Sequence, residues 1–534
     1  MGMKRLHLLM LSVLSGLLLA AAWPEHGFTP LIFVALVPLF FVQQVLGDSG
    51  RKGMFWLAWL AFLIWNALTT WWIWNSTEGG AIAAILLNSL FMATVFQVFH
   101  ISKKWLFDNR RGFGILIFYW ISWEYFHMNW DLTWPWLTLG NVFAARHTWI
   151  QWYEYTGVLG GSFWVILANI LVFNVINNIL AKDRVRLAVN GGLLVLLIAV
   201  PLSFSLYRYH HYRETGKPVH VVVVQPNVDP YTEEYKVPPA RLLQRNLKLA
   251  AQKVNDSTDY VVFPESAIQE NIWEGSLYRS QSIRTLRQFI APWPKLSLVI
   301  GATTYRWLRK NEKRTPPARL YRKGLYYYAY NTAFYIDHSP YVQIHHKSKF
   351  TPGVEKMPDW FLLRPLEKYA INLGGTVGSL KGDDHITLFE NNSTGTKIGT
   401  AICYESVFGD YVAEYVRQGA EILFVITNDG WWGNTPGYRQ HFLFSVLRAI
   451  ETRRDVARSA NTGASGFINQ RGDVLQRTAY WKPAVIAQTL HLNDKMTYYV
   501  KNGDQIARVS AYISALILLV SLVQGILKRQ NSLF

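Results

Sequence analysis

Cys403 is the only cysteine among 534 residues, and it stands at the end of a strand-like run, Lys397-Ile-Gly-Thr-Ala-Ile402. Glu265 follows a second apolar run that a proline closes, Asp259-Tyr-Val-Val-Phe-Pro264. Lys347 follows a third, Tyr341-Val-Gln-Ile-His-His346, which a tight His338-Ser-Pro turn joins to a strand at 331–337. A thiol, a carboxylate and an amine thus each fall at a strand end, where ligands and nucleophiles gather in α/β sheets. Their chemistry divides naturally. Glu265 can take the thiol proton, Cys403 can attack a carbonyl, and Lys347 can hold the charge developing on the carbonyl oxygen. Read one at a time, each has a plainer explanation: a small buried hydrophobe, a loop cap and a solvated lysine. Their common placement favours the reactive reading.

The segments around Cys403 read as strand, helix, strand. The helical stretch, 406–418, stops at Gly419, and Ile422-Leu-Phe-Val-Ile-Thr427 follows. A helix starting beside Cys403 would favour its thiolate. Upstream, 219–224 reads as a strand, 239–255 as a polar helix, and a second helix near 280–290 leads to a strand at 296–301. Alternation of this kind predicts an α/β sandwich. Asn469-Gln-Arg-Gly-Asp473 signals a hairpin, and the basic stretch 310–323, with Pro316-Pro317, reads as a surface loop.

Much of the remaining chain is apolar. Hydrophobic residues make up 51% and charged residues 16%, with long apolar segments at 6–22, 28–46, 54–75, 81–101, 112–127, 159–180, 187–207 and 506–527. Most approach the roughly 20 residues that span a bilayer. Eight transmembrane helices are therefore expected. They divide the chain into a membrane domain over 1–207, an extracytoplasmic catalytic domain over 208–505, and a last helix with its tail over 506–534. The first segment is read as an uncleaved anchor, given the spans behind it. Basic pairs at Lys4 and Arg5, Arg51 and Lys52, Lys103 and Lys104, and Lys528 and Arg529 share one side if every segment crosses. The group Lys182, Arg184 and Arg186 joins them there, and the positive-inside rule makes that side cytoplasmic. These anchors absorb much of the net charge of +18; with no nucleic-acid motif, the charge points to anionic lipid. Sixteen of the 23 tryptophans precede residue 217, as expected of interfacial aromatic belts. The spans carry few charged residues, which argues against a transporter.

Pro264-Glu265-Ser266, Lys347-Ser-Lys-Phe-Thr-Pro-Gly-Val-Glu355 and Ile402-Cys403-Tyr-Glu405 resemble the Glu–Lys–Cys motifs of the nitrilase superfamily. More narrowly, they are similar to those of the apolipoprotein N-acyltransferases, membrane enzymes that finish bacterial lipoproteins. Gln225, Thr427-Asn-Asp-Gly-Trp-Trp-Gly433, Gln440-His441-Phe442 and Arg458-Ser-Ala-Asn-Thr-Gly463 match as well. So do Phe28-Thr-Pro-Leu, Pro135-Trp-Leu137 and Leu363-Arg-Pro-Leu366, so the resemblance covers nearly the whole chain. It implies a nitrilase-like αββα sandwich on an α-helical membrane domain, in the bacterial inner membrane with the catalytic domain on the periplasmic side. It also implies no cofactor and no metal, a phospholipid as acyl donor, and a diacylglyceryl-cysteine apolipoprotein as acceptor. The reaction would be ping-pong, through a Cys403 thioester. Glu265, Lys347 and Cys403 take the catalytic roles, and Glu355 orients Lys347. Tyr404 and Glu405 sit beside the nucleophile, with Glu405 either chemical or structural. One departure stands out: the family usually has Pro-Phe-Gly-Glu where this chain has Pro352-Gly353-Val354-Glu355.

The competing reading is a membrane-tethered carbon–nitrogen hydrolase that uses the same three residues and passes the acyl group to water. The eight-span anchor and the matches outside the catalytic segment weigh against it. His345 and His346 are adjacent on a strand and point to opposite faces, so they do not chelate together and receive no role. For His441, loop support and chemistry both remain open. Finally, Trp360-Phe-Leu-Leu363 with Leu366 and Tyr369 lines one face of a segment that Pro365 interrupts. It is expected to be a lid that dips into the outer leaflet, with Trp360 and Phe361 as lipid-binding residues; the alternative is core packing.

Overall fold

The computed structural model describes residues 4–25, 27–107, 111–234, 236–356 and 379–531. Trp360 and Phe361, and with them the expected lid, lie outside the described residues. Seven described helices are long and apolar enough to cross a bilayer: Arg5–Ala22, Thr29–Ser49, Met54–Asn75, Glu78–Leu106, Tyr153–Leu180, Arg184–His211 and Gln505–Lys528. The remaining expected segment is the helix Ile115–His127, of 13 residues. At 1.5 Å per residue it rises only about 20 Å, against a hydrocarbon core of about 30 Å. It packs beside the last long helix, where the Ser122 and Ser514 hydroxyls meet at 2.9 Å.

The rest of the chain builds two sheets. Their strands are β1 (Pro218–Gln225), β2 (Tyr260–Val262), β3 (Ile268–Trp273), β4 (Ser297–Trp307), β5 (Arg319–Arg322), β6 (Leu325–Ile336) and β7 (Val342–His346). Then come β8 (Phe389–Glu390), β9 (Lys397–Ile402), β10 (Ile422–Thr427), β11 (Val456–Ala460), β12 (Gly466–Ile468), β13 (Val474–Arg477) and β14 (Ala484–His491). The first sheet runs β14-β1-β2-β4-β6-β5, with β3 on β4 and β7 on β6; the second runs β13-β12-β11-β10-β9-β8. The cores β1-β2-β4 and β9-β10-β11 are parallel, as buried strands joined by crossover helices should be.

Side-chain alternation sorts the layers. Val221 and Val223 of β1 face inward and meet Ile398, Ile402, Phe424 and Ile426 of the other sheet. Val222 and Val224 face outward, the period of two expected of a strand. That outer face is covered by Leu243, Leu286 and Ile290 from the helices Pro239–Ala250 and Gln281–Ile290. On the far side, Ala401, Leu423 and Val425 pack under Val412 and Phe442 of the helices Gly409–Arg417 and Pro436–Thr452. This last apolar cluster continues without a break into the membrane helices, through Trp72, Trp136 and Val158. The sandwich is αββα, and one of its helical layers is fused to the bundle.

Three local expectations are corrected. The polar helix ends at Ala250 rather than 255. The basic loop contains β5, which pairs with the start of β6. The stretch 406–418 is not one helix: Cys403–Val407 is a tight 3-10 turn, and an α-helix begins only at Gly409. The cause is Glu405, whose carboxylate reaches back to accept the Ile402 N–H at 2.7 Å and tightens the first turn.

Candidate active site

Glu265, Lys347 and Glu355 form one buried cluster. Lys347 Nζ lies 3.2 Å from Glu265 Oε1 and donates to Glu355 Oε1 at 2.6 Å; the lysine is 1% exposed, so the solvated reading of it fails. The strand register explains how the groups meet. β6 and β7 pair antiparallel with Thr332 opposite His346, which sets Asn331 across from Lys347. The Asn331 side-chain amide then donates to Glu265 Oε1 at 2.6 Å, and the Asn428 backbone N–H donates to Oε2 at 3.0 Å. Gly301 on β4 passes so close that a Cβ there would sit 2.6 Å from the Glu265 Cα. Ser266 turns the chain away with φ +54.

Electrostatics fit a base-assisted thiol. Burial pushes the Cys403 thiol up, Glu265 adds to the rise, and Lys347 opposes it. The expected help from a helix amino terminus is absent, because Cys403 opens a 3-10 turn with φ +50. The resting thiol therefore stays protonated and needs a base. Burial also raises the Glu265 carboxyl, against the pull of Lys347, which makes it a better proton acceptor. For Lys347, burial works against the ammonium, but Glu265 and Glu355 outweigh it and hold the amine well above its usual value. It stays a cation, as a group that stabilises an oxyanion must.

Glu405 resolves as a bracket. Its Oε1 accepts the Ser348 N–H at 2.6 Å and the Tyr411 hydroxyl at 2.6 Å, while Oε2 accepts the Ile402 N–H. Ser348 follows Lys347 and Ile402 precedes Cys403, so one carboxylate ties the amine's loop to the thiol's loop. Glu355 Oε2 accepts the Thr351 N–H at 2.9 Å, closing the shifted-glycine loop on itself; Gly353 carries φ +77. Tyr404 donates to the Thr133 carbonyl at 2.8 Å and ties the Cys403 loop to the segment that follows the helix Ile115–His127.

Beside this cluster lies an apolar cavity of about 250 Å³. Its walls come from both parts of the molecule: Leu87 and Phe91 of a membrane helix, Trp72 and Trp136, then Val354 and Tyr404 from the loops that carry Glu355 and Cys403. The sequence reading did not anticipate a cavity of mixed origin.

Other residues were also missed. Asn331 and Asn428 hold Glu265, and the signal available was their position, one opening a predicted strand and the other inside a matched segment. His345 and His346 enter separate networks, the first to Glu405 and Tyr415, the second to Glu274 and Asp383. Among the described residues, Glu214, Asp455 and His491 bring ligand-type atoms within 4.8 Å of one another, in a group that shares no residue with the cluster around Cys403.

The chain is similar to known proteins over nearly its whole length. Residues 15–171 match the family described as the apolipoprotein N-acyltransferase N-terminal domain, and residues 221–496 match carbon–nitrogen hydrolase. An apolipoprotein N-acyltransferase of Chlorobaculum tepidum is 31% identical over 96% of this chain and 96% of its own length. One of Geobacter metallireducens is 27% identical over 93% and 92%.

Proposed function

This chain belongs to the apolipoprotein N-acyltransferase family, and from that premise we propose how its residues divide the reaction and how it sits in the membrane. It is a multi-pass membrane enzyme of lipoprotein maturation that acts on lipoprotein substrates. The observation that carries the assignment of roles is the Glu265–Lys347–Glu355 cluster, buried next to the only cysteine and beside a cavity shared with the membrane helices. Glu265 takes the Cys403 proton, and the thiolate attacks an acyl ester carbonyl of a phospholipid. Lys347 stabilises the tetrahedral oxyanion, with Glu355 holding the amine in place. The C–O bond breaks, the lysophospholipid leaves with the proton from Glu265, and a thioester remains on Cys403. The free amine of the diacylglyceryl-cysteine then attacks the thioester. Glu265 takes the amine proton, and the C–S bond breaks to give the amide.

A phospholipid donor is supported by the cavity, whose apolar walls suit an acyl chain and one of whose walls is the helix Glu78–Leu106, long and apolar enough to cross a bilayer. With the short helix Ile115–His127 counted as a crossing, the basic clusters at the ends of the spans support a cytoplasmic side opposite the catalytic domain. On that reading 1–207 is the membrane domain, 208–505 the periplasmic catalytic domain, and 506–534 the closing helix and tail. The test is intact-mass analysis after exposure to phospholipid. A fatty-acyl adduct should form on wild-type protein, be absent from Cys403→Ala, and discharge onto a diacylated lipopeptide much faster than into water. Acyl transfer by Cys403→Ala would remove the mechanism.

A further inference from the structure

Asp429, His441 and Arg458, each from a matched segment, have no part in the scheme above, yet they form one network that ends on the Cys403 carbonyl. We propose that His441 is a positioning residue for Cys403: its Nε2–H fixes the cysteine carbonyl, while Arg458 and Asp429 hold the ring. This rests on Cys403 being the nucleophile. The Cys403 carbonyl oxygen lies 3.1 Å from His441 Nε2 and accepts the Ser406 hydroxyl at 2.7 Å. At its other end the ring offers Nδ1 to Arg458 Nη2 at 2.9 Å. Asp429 accepts from the same Nη2 through Oδ2 at 2.9 Å. Its Oδ1, also 2.9 Å from Nδ1, takes the Thr427 hydroxyl at 2.8 Å. Thr427, Asp429, His441 and Arg458 are fully buried.

The proton arrangement follows from what each partner can do. A carbonyl oxygen only accepts, so the hydrogen facing Cys403 is on Nε2. Burial and the Arg458 cation lower the basicity of the ring while Asp429 opposes them, and Nδ1 lies 2.9 Å from both Arg458 Nη2 and Asp429 Oδ1. The arrangement has a purpose at Cys403. Cys403, a non-glycine residue at φ +50 in the left-handed region, is strained and persists there only where the surroundings over-determine it. Two donors on its carbonyl, one from its own turn and one from a helix 38 residues away, supply that constraint. They set the backbone from which the thiol is presented to Glu265 and Lys347.

The test compares His441→Gln with His441→Asn in the full-length membrane enzyme. Both keep a buried amide near Asp429, but only Gln is long enough to reach the position of Nε2. Single-turnover acylation of Cys403 by phospholipid in vesicles is followed by intact mass. His441→Asn should slow the rate at saturating donor by about a hundredfold, the scale of a roughly 1 Å misplacement. The donor concentration giving half the maximal rate should stay within about threefold. His441→Gln should recover to within about tenfold of wild type. An Asn variant within threefold of wild type overturns the proposal, and so does a Gln variant as slow as Asn. If His441→Asn cannot be purified, Ser406→Ala removes the other donor to the same carbonyl. About a tenfold fall is expected there, and no fall overturns the proposal. Failure of the nucleophile assignment is separate, since it would show as acylation of Cys403→Ala.

Discussion

Glu405→Gln separates a structural carboxylate from a catalytic one. The wild-type side chain is fully buried and accepts two backbone N–H groups, from Ile402 and Ser348, at 2.7 and 2.6 Å. An amide has one acceptor oxygen, so its NH2 must face one of those two N–H groups. Each buried backbone donor left unpaired costs about 1–3 kcal/mol, and the amide–amide clash adds to it; the alanine variant strands both, for about 2–6 kcal/mol. Against a total stability of about 5–15 kcal/mol, that loss removes much of the margin, and Glu405→Ala should accumulate at a reduced level. Glu405→Gln should lower the melting temperature by on the order of 5 °C. The sign of the pH dependence follows. Burial works against the Glu405 carboxylate, but His345, the Ile402 N–H and Tyr411 outweigh it and hold its pKa below the usual glutamate value. Its stabilisation is therefore complete above the unfolded pKa of about 4.3 and is lost as pH falls through the depressed folded value. Thermal unfolding of the detergent-solubilised protein, followed as the pH falls from about 7 through the carboxylate range, reads this directly, and the Gln variant should lack the Glu405 part of the acid limb. A Gln variant with wild-type melting temperature and no acylation would refute the bracket and make Glu405 a chemical group.

Lys347→Met should cut Cys403 acylation at least about a hundredfold, the usual loss for an oxyanion donor. It should also move the acid limb of the rate upward, because the cation that pulls the raised Glu265 carboxyl down is gone; a limb that does not move contradicts the assignment of Glu265 as base. Gly301→Ala places a methyl against the Glu265 backbone at 2.6 Å, an overpacking worth about 1–3 kcal/mol; turnover should fall at least tenfold, while unchanged kinetics would show that Glu265 needs no such support. Ala84→Trp fills part of the cavity wall and should slow acylation by long-chain phospholipid far more than by a short-chain soluble ester, so that equal loss with both donors would place the acyl chain elsewhere.

What the sequence by itself determined was local and periodic. The alternation of Val221–Val224 across two faces, the strands that end at Val262, His346 and Ile402, and seven of the long apolar segments are all carried by neighbouring residues. The three side chains proposed to do the chemistry stand out for the same reason, since each lies within three residues of its strand's end. Tertiary structure decided how they meet. Asn331 reaches Glu265 through a β6–β7 register and a contact 66 residues long. The bracket from Glu405 to Ser348 spans 57 residues. His441 and Arg458 read as motif letters until packing put them under Cys403. A spacing pattern says which face a side chain takes but not what stands opposite it. That depends on register, on a tightened turn such as Cys403–Val407, and on the close packing of elements far apart in the chain. The cavity, walled jointly by a membrane helix and the loops that carry Glu355 and Cys403, exists only once those elements are assembled.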